Sequence, residues 1–460
     1  MSVVVDCTMD TAMKNIVILA TGGTIAGAGE QGKDIGYKSG ALEAQTLIDA
    51  VPELKNVANI FVEQVCNINS DDITSEIWIS LAWRIKELAS DGFGTSHENV
   101  DGFVIMHGTD TMEETAFFLS LTLGGLAPNA AENVAENAAR SVILSEVEGT
   151  RKNVIGNVVC DASGNATGNV AKPVILTGSM RPATAAEPDG PANLLFAVKS
   201  AVEMSDCGAA GRVILSQGEG SRASHSGLSS RPQCRDHRLS FANNVPVFVA
   251  FAGKLMDACT VQKVHANALD AFAEISNSGV ILSRDEESGA SHSVLSSRLQ
   301  SQPALSSRLQ SQPALSSRLQ SQSALSSRTP FRDQLLEPTF DISSLRSLPK
   351  VSILYFNADA DAELVRFAAE RSAGLVIAGA GAGEFSQSWA AALANVVAKN
   401  IPVVIATRIN RGSIVPEQLL VSGTIASYGL PPAKAAVLLR LALTVTNNPV
   451  VIQDIYHMYR

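Results

Sequence analysis

The chain has 460 residues, of which 46% are hydrophobic and 17% charged, with a formal net charge of -10. That length exceeds one compact core and predicts two domains plus additional material. The acidic balance excludes nucleic acid and anionic membrane surfaces as expected partners, and no apolar run approaches bilayer-spanning length. The opening MSVVVDCTMDTAMK lacks a basic stretch leading into an apolar one, the pattern of a secretory signal. Six cysteines (Cys7, Cys66, Cys160, Cys207, Cys234 and Cys259) are scattered without CxxC or metal-ligand spacing. In a chain of this length they read as reduced thiols, and a cytoplasmic setting is expected.

In chain order, residues 15–20 (NIVILA) form a short β-branched apolar run ending in Thr-Gly-Gly, which predicts a buried parallel strand and a tight turn. The signature recurs at 102–106 before HGTD, at 173–176 before TGSM and at 247–251 before AGK. It returns at 351–355, at 375–378 before GAGAG and at 403–406 before TR. Helical periodicity covers 75–88, 112–123 and 433–446. Strands alternating with helices predict an α/β fold: a larger N-terminal domain whose mainly parallel sheet is flanked by helices, and a smaller C-terminal α/β domain. Functional loops are expected at the carboxyl ends of the strands.

Three segments interrupt this pattern, at about 128–170, 216–245 and 279–328. The third is a tandem repeat in which LSSRLQSQPA starts at Leu295 and again at Leu305, then continues in altered form from Leu315. A short polar period without apolar bulk cannot build a core, so disorder is expected there rather than a solenoid. Related strings accompany all three segments: SVILSEVEGTR from Ser141, RVILSQGEGSR from Arg212 and GVILSRDEESG from Gly279. They suggest one DNA element inserted in frame three times, the alternative being surface loops that share a strand-turn signature. The expected organisation is therefore an N-terminal catalytic domain over 1–278, the repeat insertion over 279–328, a linker over 329–349 and a C-terminal domain over 350–460.

Two segments carry the chemistry. In ILATGGTIAG (18–27), a buried strand delivers Thr24 into a glycine turn, where Gly22 and Gly23 permit positive φ and close backbone approach. A threonine hydroxyl is a weak nucleophile and needs a base and an oxyanion-stabilising site. A dinucleotide-binding turn is excluded because GGTIAG lacks the G-x-G-x-x-G spacing. In HGTDTMEET (107–115), a second strand end presents Thr109 and Asp110 together, at an expected helix start.

With the three insertions set aside, the chain from Asn15 to Tyr459 resembles the bacterial type II-like L-asparaginase and glutaminase-asparaginase family. The resemblance rests on ILATGGTIAG and HGTDTMEET, and is supported by NINSDDIT (67–74), TGSMRPATAAEPDGPANL (177–194), AGAGAGE (378–384) and KAAVLLRLALT (434–444). It implies two-step acyl transfer on asparagine. Thr24 would be the nucleophile, Tyr37 on the following loop its activating partner, and Thr109, Asp110 and Lys263 a second triad. Lys263, in VQKVHANALDAF, is placed by its spacing to Asp270-Ala271-Phe272, and neighbouring His265 reads as structural. The same resemblance puts Ser70, Asp71, Gly23 and Ser179 (with Met180) in contact with substrate, and Glu417 across a subunit boundary. Arg181 and Asp189 read as a structural pair.

This chain departs from the family pattern at Asp71, where Gln or Glu is usual, and at Ala382, where some relatives have Asn. The resemblance implies a homotetramer built as a dimer of dimers, a small amino-acid amide as substrate, and neither metal nor cofactor. The choice of base between Tyr37 and the Thr109–Lys263–Asp110 relay stays open, as do three alternatives. These are a broad glutaminase-asparaginase, the amidase of a tRNA-dependent transamidation complex (which the acidic composition disfavours), and an inactive insertion-bearing paralogue.

Overall fold

A computed structural model describes residues 13–33, 36, 38, 40–124, 172–206, 246–275 and 340–459. Tyr37, all of the three interrupting segments and residues 329–339 of the expected linker lie outside the described residues.

Strand β1 (Asn15–Gly22) lies next to the edge strand of a six-stranded sheet of order β2-β1-β3-β4-β5-β6, with β2 (Asn59–Ile68), β3 (Gly102–Met106), β4 (Val174–Thr177), β5 (Val247–Phe251) and β6 (Lys254–Asp257). The first five pair in parallel and β6 returns antiparallel. The β5–β6 turn is made by Ala252 and Gly253 at φ 48° and 71°, the positive-φ pair of a tight hairpin. Strands β1, β3, β4 and β5 are buried almost throughout because helices cover both faces, which is why they read as unbroken apolar runs.

Alternation sorts their side chains. Val17, Leu19, Phe103, Ile105 and Val174 face α2 (Ser75–Asp91) and α3 (Met112–Thr122). Ile16, Ile18, Val104 and Ile175 face α1 (Ala44–Asp49) and α4 (Gly190–Asp206). Each buried Leu, Ile or Phe contributes on the order of 1.5–3 kcal/mol.

The C-terminal half builds a four-stranded parallel sheet of order β12-β11-β10-β9 from β9 (Val351–Tyr355), β10 (Gly374–Gly379), β11 (Val403–Thr407) and β12 (Ile425–Ala426). One face packs on α5 (Glu363–Ala369) and α6 (Gln387–Val397), with Trp389 of α6 fully buried in the same cluster. The other face, through Val376 and Val404, packs with α7 (Pro432–Ala442) and α8 (Pro449–Met458). The apolar cluster on this face is continuous with the one around α3, so one core joins the two sheets. The described end of the expected linker belongs to it as well: Ile342 is fully buried, and the Phe340 amide donates to the Leu121 carbonyl at 2.9 Å. Between the two sheets in sequence lies a small antiparallel pair, β7 (Val261–Lys263) with β8 (Phe272–Glu274).

Candidate active site

The carboxyl ends of β1, β2 and β3 converge on one edge of the large sheet. Strand β1 ends in Gly22 and Gly23 at φ 103° and 81°, followed by a short 3-10 turn at Thr24–Ala26. A side chain on Gly23 would place Cβ 2.4 Å from the Gly108 backbone. The turn carrying Thr24 therefore lies directly against the turn carrying Thr109, and only glycine fits between them. Thr24 itself is half-buried.

The β2 end joins the same cluster. The register of β2 on β1 shifts between Ala20 and Gly22, an irregularity of the kind that re-aims a strand end. It delivers Ser70, buried on a 3-10 turn at Ser70–Asp72. Ser70 Oγ accepts from the Asp110 amide at 3.3 Å, and its carbonyl accepts from Thr111 Oγ1 at 2.8 Å. Asp71 is exposed, with its carboxylate accepting from Asn69 Nδ2 at 2.8 Å.

Thr109 and Asp110 occupy the turn before α3 rather than its first residues: Thr111 takes the cap position and the helix begins at Met112. The fully buried His107 fixes this turn. Its Nδ1 is 2.7 Å from the Gly108 carbonyl, and its Nε2 is 2.9 Å from Thr115 Oγ1, which accepts from Trp78 Nε1 at 2.8 Å. A carbonyl only accepts, so Nδ1 carries the proton and Nε2 accepts from the threonine hydroxyl. Burial pushes the imidazole down to about 4 against the opposing pull of the Gly108 hydrogen bond, so the ring is a neutral strut near pH 7.

Lys263, at the end of β7, reaches into this edge. Its Nζ donates to Thr109 Oγ1 at 2.9 Å and to Asp110 Oδ1 at 2.5 Å. The lysine side chain is 14% exposed and the aspartate 57%, so a largely buried ammonium is paired with a carboxylate open to solvent. Two elements 153 residues apart in sequence are thus joined, although interrupting segments flank the stretch that carries Lys263.

The remaining expected residues divide. Ser179 is fully buried and donates to the Arg181 carbonyl at 2.7 Å, which holds its own turn. The Asp189 carboxylate accepts from the Met180 and Arg181 amides, both at 2.9 Å, while the Arg181 guanidinium reaches the Glu187 carbonyl at 3.0 Å. The Arg181–Asp189 connection is structural, but it runs through the Arg181 backbone. His265 Nδ1 accepts from the Asn267 and Ala268 amides at 3.0 and 2.9 Å, closing a loop. Glu417 is exposed on a 3-10 turn of the C-terminal half, and Ala382 is exposed on the separate turn that follows β10.

Sequence reasoning missed Glu113, which accepts the Lys263 amide, and Lys434, fully buried on α7. A signal for Lys434 existed, because it shares a stripe with Leu438 and Leu441, both buried, at the i+4 and i+7 spacing of an apolar helix face. Among the described residues no group of His, Cys, Asp and Glu is placed to hold a metal ion, and no helix is long and apolar enough to cross a membrane.

Two mainly parallel sheets flanked by helices and sharing one core, with paired threonine turns at the carboxyl end of one sheet, define an α/β protein with a polar, hydroxyl-bearing site. The family model described as Asparaginase, N-terminal matches residues 15–128 and 165–227, and the Glutaminase/Asparaginase C-terminal domain matches 350–456. The chain is 30% identical over 452 residues to L-asparaginase 2 of Escherichia coli (strain K12), covering 97% of this chain and 94% of that protein. It is 31% identical over 448 residues to a probable periplasmic L-asparaginase of Haemophilus influenzae, covering 96% and 93%. A shorter similarity, 38% over 189 residues (41% of this chain, 38% of the other), relates it to the glutaminase-asparaginase of Pseudomonas fluorescens biotype A. Among solved structures, the probable cytoplasmic L-asparaginase from Campylobacter jejuni superposes with a TM-score of 0.57 at 28% identity, covering 96% of this chain and 99% of that one. The chain belongs to the asparaginase family of amidohydrolases.

Proposed function

We propose that this chain hydrolyses L-asparagine to L-aspartate and ammonia by acyl transfer through Thr24. The observation that carries the reading is the cluster of Thr109, Lys263 and Asp110, seated against the Thr24 turn by the contact of Gly23 with Gly108.

In the first step Thr24 Oγ bonds to the side-chain amide carbon of the substrate, and the bond to nitrogen breaks. The hydroxyl proton passes through the base to the leaving nitrogen, which departs as ammonia. Backbone donors and the Thr109 hydroxyl hold the oxyanion, the class of interaction whose single loss costs about 100- to 1000-fold in rate. Water then attacks the ester, gives its proton back to Thr24 Oγ and releases aspartate. The base is Tyr37, the Thr109–Lys263–Asp110 relay, or both in turn; a lysine held to a hydroxyl and a carboxylate is suited to move that proton. Asp110 and Asp71 bind the substrate's ammonium group, Ser70 and the Gly23 turn bind its carboxylate, and Ser179 holds the pocket wall.

The proposal extends to assembly. The working form is a homotetramer, a dimer of dimers in which Glu417 of one subunit completes a neighbour's site. No metal or cofactor is required, and the free thiols of Cys66 and Cys259 suit the cytoplasmic setting we assign.

A second reading has its own support. Asp71 is shorter than the Gln or Glu usual in the family, so its hold on the substrate is weaker and the preference for asparagine over glutamine narrows. The similarity to a glutaminase-asparaginase points the same way. Ammonia release measured side by side on asparagine and glutamine separates the two. Activity on asparagine that is lost in Thr24→Ala and in Thr109→Val supports the proposal. A well-folded tetramer that releases no ammonia from either amide sinks it and favours an inactive paralogue.

A further inference from the structure

Lys434 lies on α7, in the C-terminal half of the chain, and is fully buried. Its ammonium donates to three backbone carbonyls, those of Ala258 at 2.8 Å, Cys259 at 3.0 Å and Val261 at 2.6 Å. An ammonium has three N–H bonds, so its donor capacity is filled. These carbonyls belong to the turn from which β7 departs, and Lys263 follows Val261 by two residues.

A second anchor grips Lys263 itself. Glu113, in the first turn of α3, accepts the Lys263 amide at 2.5 Å. Because α3 follows directly from the Thr109–Asp110 turn, this bond ties the lysine's backbone to the element that carries the lysine's own partners. Lys434 also lies 5.5 Å from the centre of the Phe117 ring on α3, so the ammonium, α3 and the β7 turn form one packed unit.

We propose that Lys434 and Glu113 are positioning residues that set the reach of Lys263 to Thr109 and Asp110, so that turnover depends on α7 of the C-terminal half gripping the 258–261 turn. This rests on the reading of Lys263 as a working part of the site. It also accounts for how a short strand flanked by two sequence insertions keeps its lysine in register: the grip comes from α3 and α7, which both lie outside the stretch between those two insertions. Desolvation pushes Glu113 above the usual carboxylate range and Lys434 below the usual lysine range, and in each case the other's charge pulls back toward the ionised form. Cys259, Asp257 and Glu274 face Lys434 from the β6–β8 side and act in the same direction.

The test uses the full-length enzyme in its native assembly, with kcat and KM measured on asparagine for Lys263→Met, Glu113→Met, Glu113→Gln, Lys434→Met and the Glu113→Met/Lys263→Met pair. Glu113→Met leaves the Lys263 amide without its acceptor and is expected to lower kcat about 10- to 100-fold with KM nearly unchanged, the scale of a small misplacement of a reacting group. Glu113→Gln keeps an acceptor in place and restores most of kcat. In the Lys263→Met background, Glu113→Met has no further effect. Lys434→Met, if it folds, repeats the kcat loss, and if it does not fold the Glu113 series decides alone. Wild-type kcat in Glu113→Met while Lys263→Met is crippled overturns the positioning proposal, as does an undiminished Glu113→Met effect in the Lys263→Met background. Full activity in Lys263→Met instead overturns the functional reading beneath it.

Discussion

The turns after β1 and β3 present a threonine each at the same sheet edge, yet they are built by different means. The Thr24 turn is made by backbone geometry: two positive-φ glycines, one pressed against the Gly108 backbone at a distance no Cβ could occupy. The Thr109 turn is made by side chains. His107, Thr115 and Trp78 brace it from within, and Lys263 and Asp110 surround its hydroxyl with opposite charges. A nucleophile needs close, exposed presentation, which glycine allows. A proton-handling group needs a fixed charge environment, which only side chains supply. The difference between the turns matches the difference between the roles proposed for them.

The largest expected effect comes from removing what the two turns share. Gly23→Ala forces a side chain into the Gly108 backbone at an unfavourable φ, so both threonines shift. Asparaginase activity should fall below detection with a lowered melting temperature. Retention of activity would mean that the turns do not depend on each other's position.

A smaller effect, confined to the charged turn, is expected from Asp110→Asn. It leaves Lys263 with a neutral partner and, in the binding mode proposed above, the substrate's ammonium without its carboxylate. The expected outcome is a kcat/KM lower by about a hundredfold, with the circular dichroism spectrum unchanged; a drop below threefold, on the order of an exposed ion pair's worth, would demote the pair to a surface contact.

The smallest effect separates the α3 scaffold from the chemistry. Glu114 is held by burial and by the charge of Glu113 up to about 7, from an ordinary 4.5, against the pull of Arg440. A raised pKa means the folded chain binds a proton that the unfolded chain has released between those values. That contribution to stability is therefore full in acid and is lost as pH rises through about 7. Melting temperatures at pH values on either side of that window should differ less for Glu114→Gln than for the wild type, with kcat little changed. An unchanged pH slope in the variant would show that another group sets it.

Much of this was legible in the sequence because buried parallel strands are unbroken apolar runs. Those at 102–106, 247–251 and 351–355 were bounded to the residue. Strand β2 escaped because it is half-exposed, and NIFVEQVCNI mixes polar and apolar positions instead of presenting a run. The start of α3 is legible as well: the helical periodicity begins at Met112, where the helix starts, with Thr111 at the cap position. The threonine motifs were readable as local strings. Lys263 was reachable only through resemblance, since nothing local distinguishes it from a surface lysine, and its contact partners lie about 150 residues away. Lys434 was overlooked for the same reason, its position on an apolar stripe being the one clue that it is buried. Tyr37 falls outside the described residues, so its role rests on the resemblance alone.

The central claim is that the hydroxyl on the backbone-built turn attacks while the one on the charge-built turn assists. Rapid quenching of the enzyme with asparagine, followed by peptide mass spectrometry, tests it most directly. An aspartyl ester on the peptide carrying Thr24, absent in Thr24→Ala, is the expected result. An ester on the peptide carrying Thr109 would contradict the account, as would ammonia release that persists in Thr24→Ala.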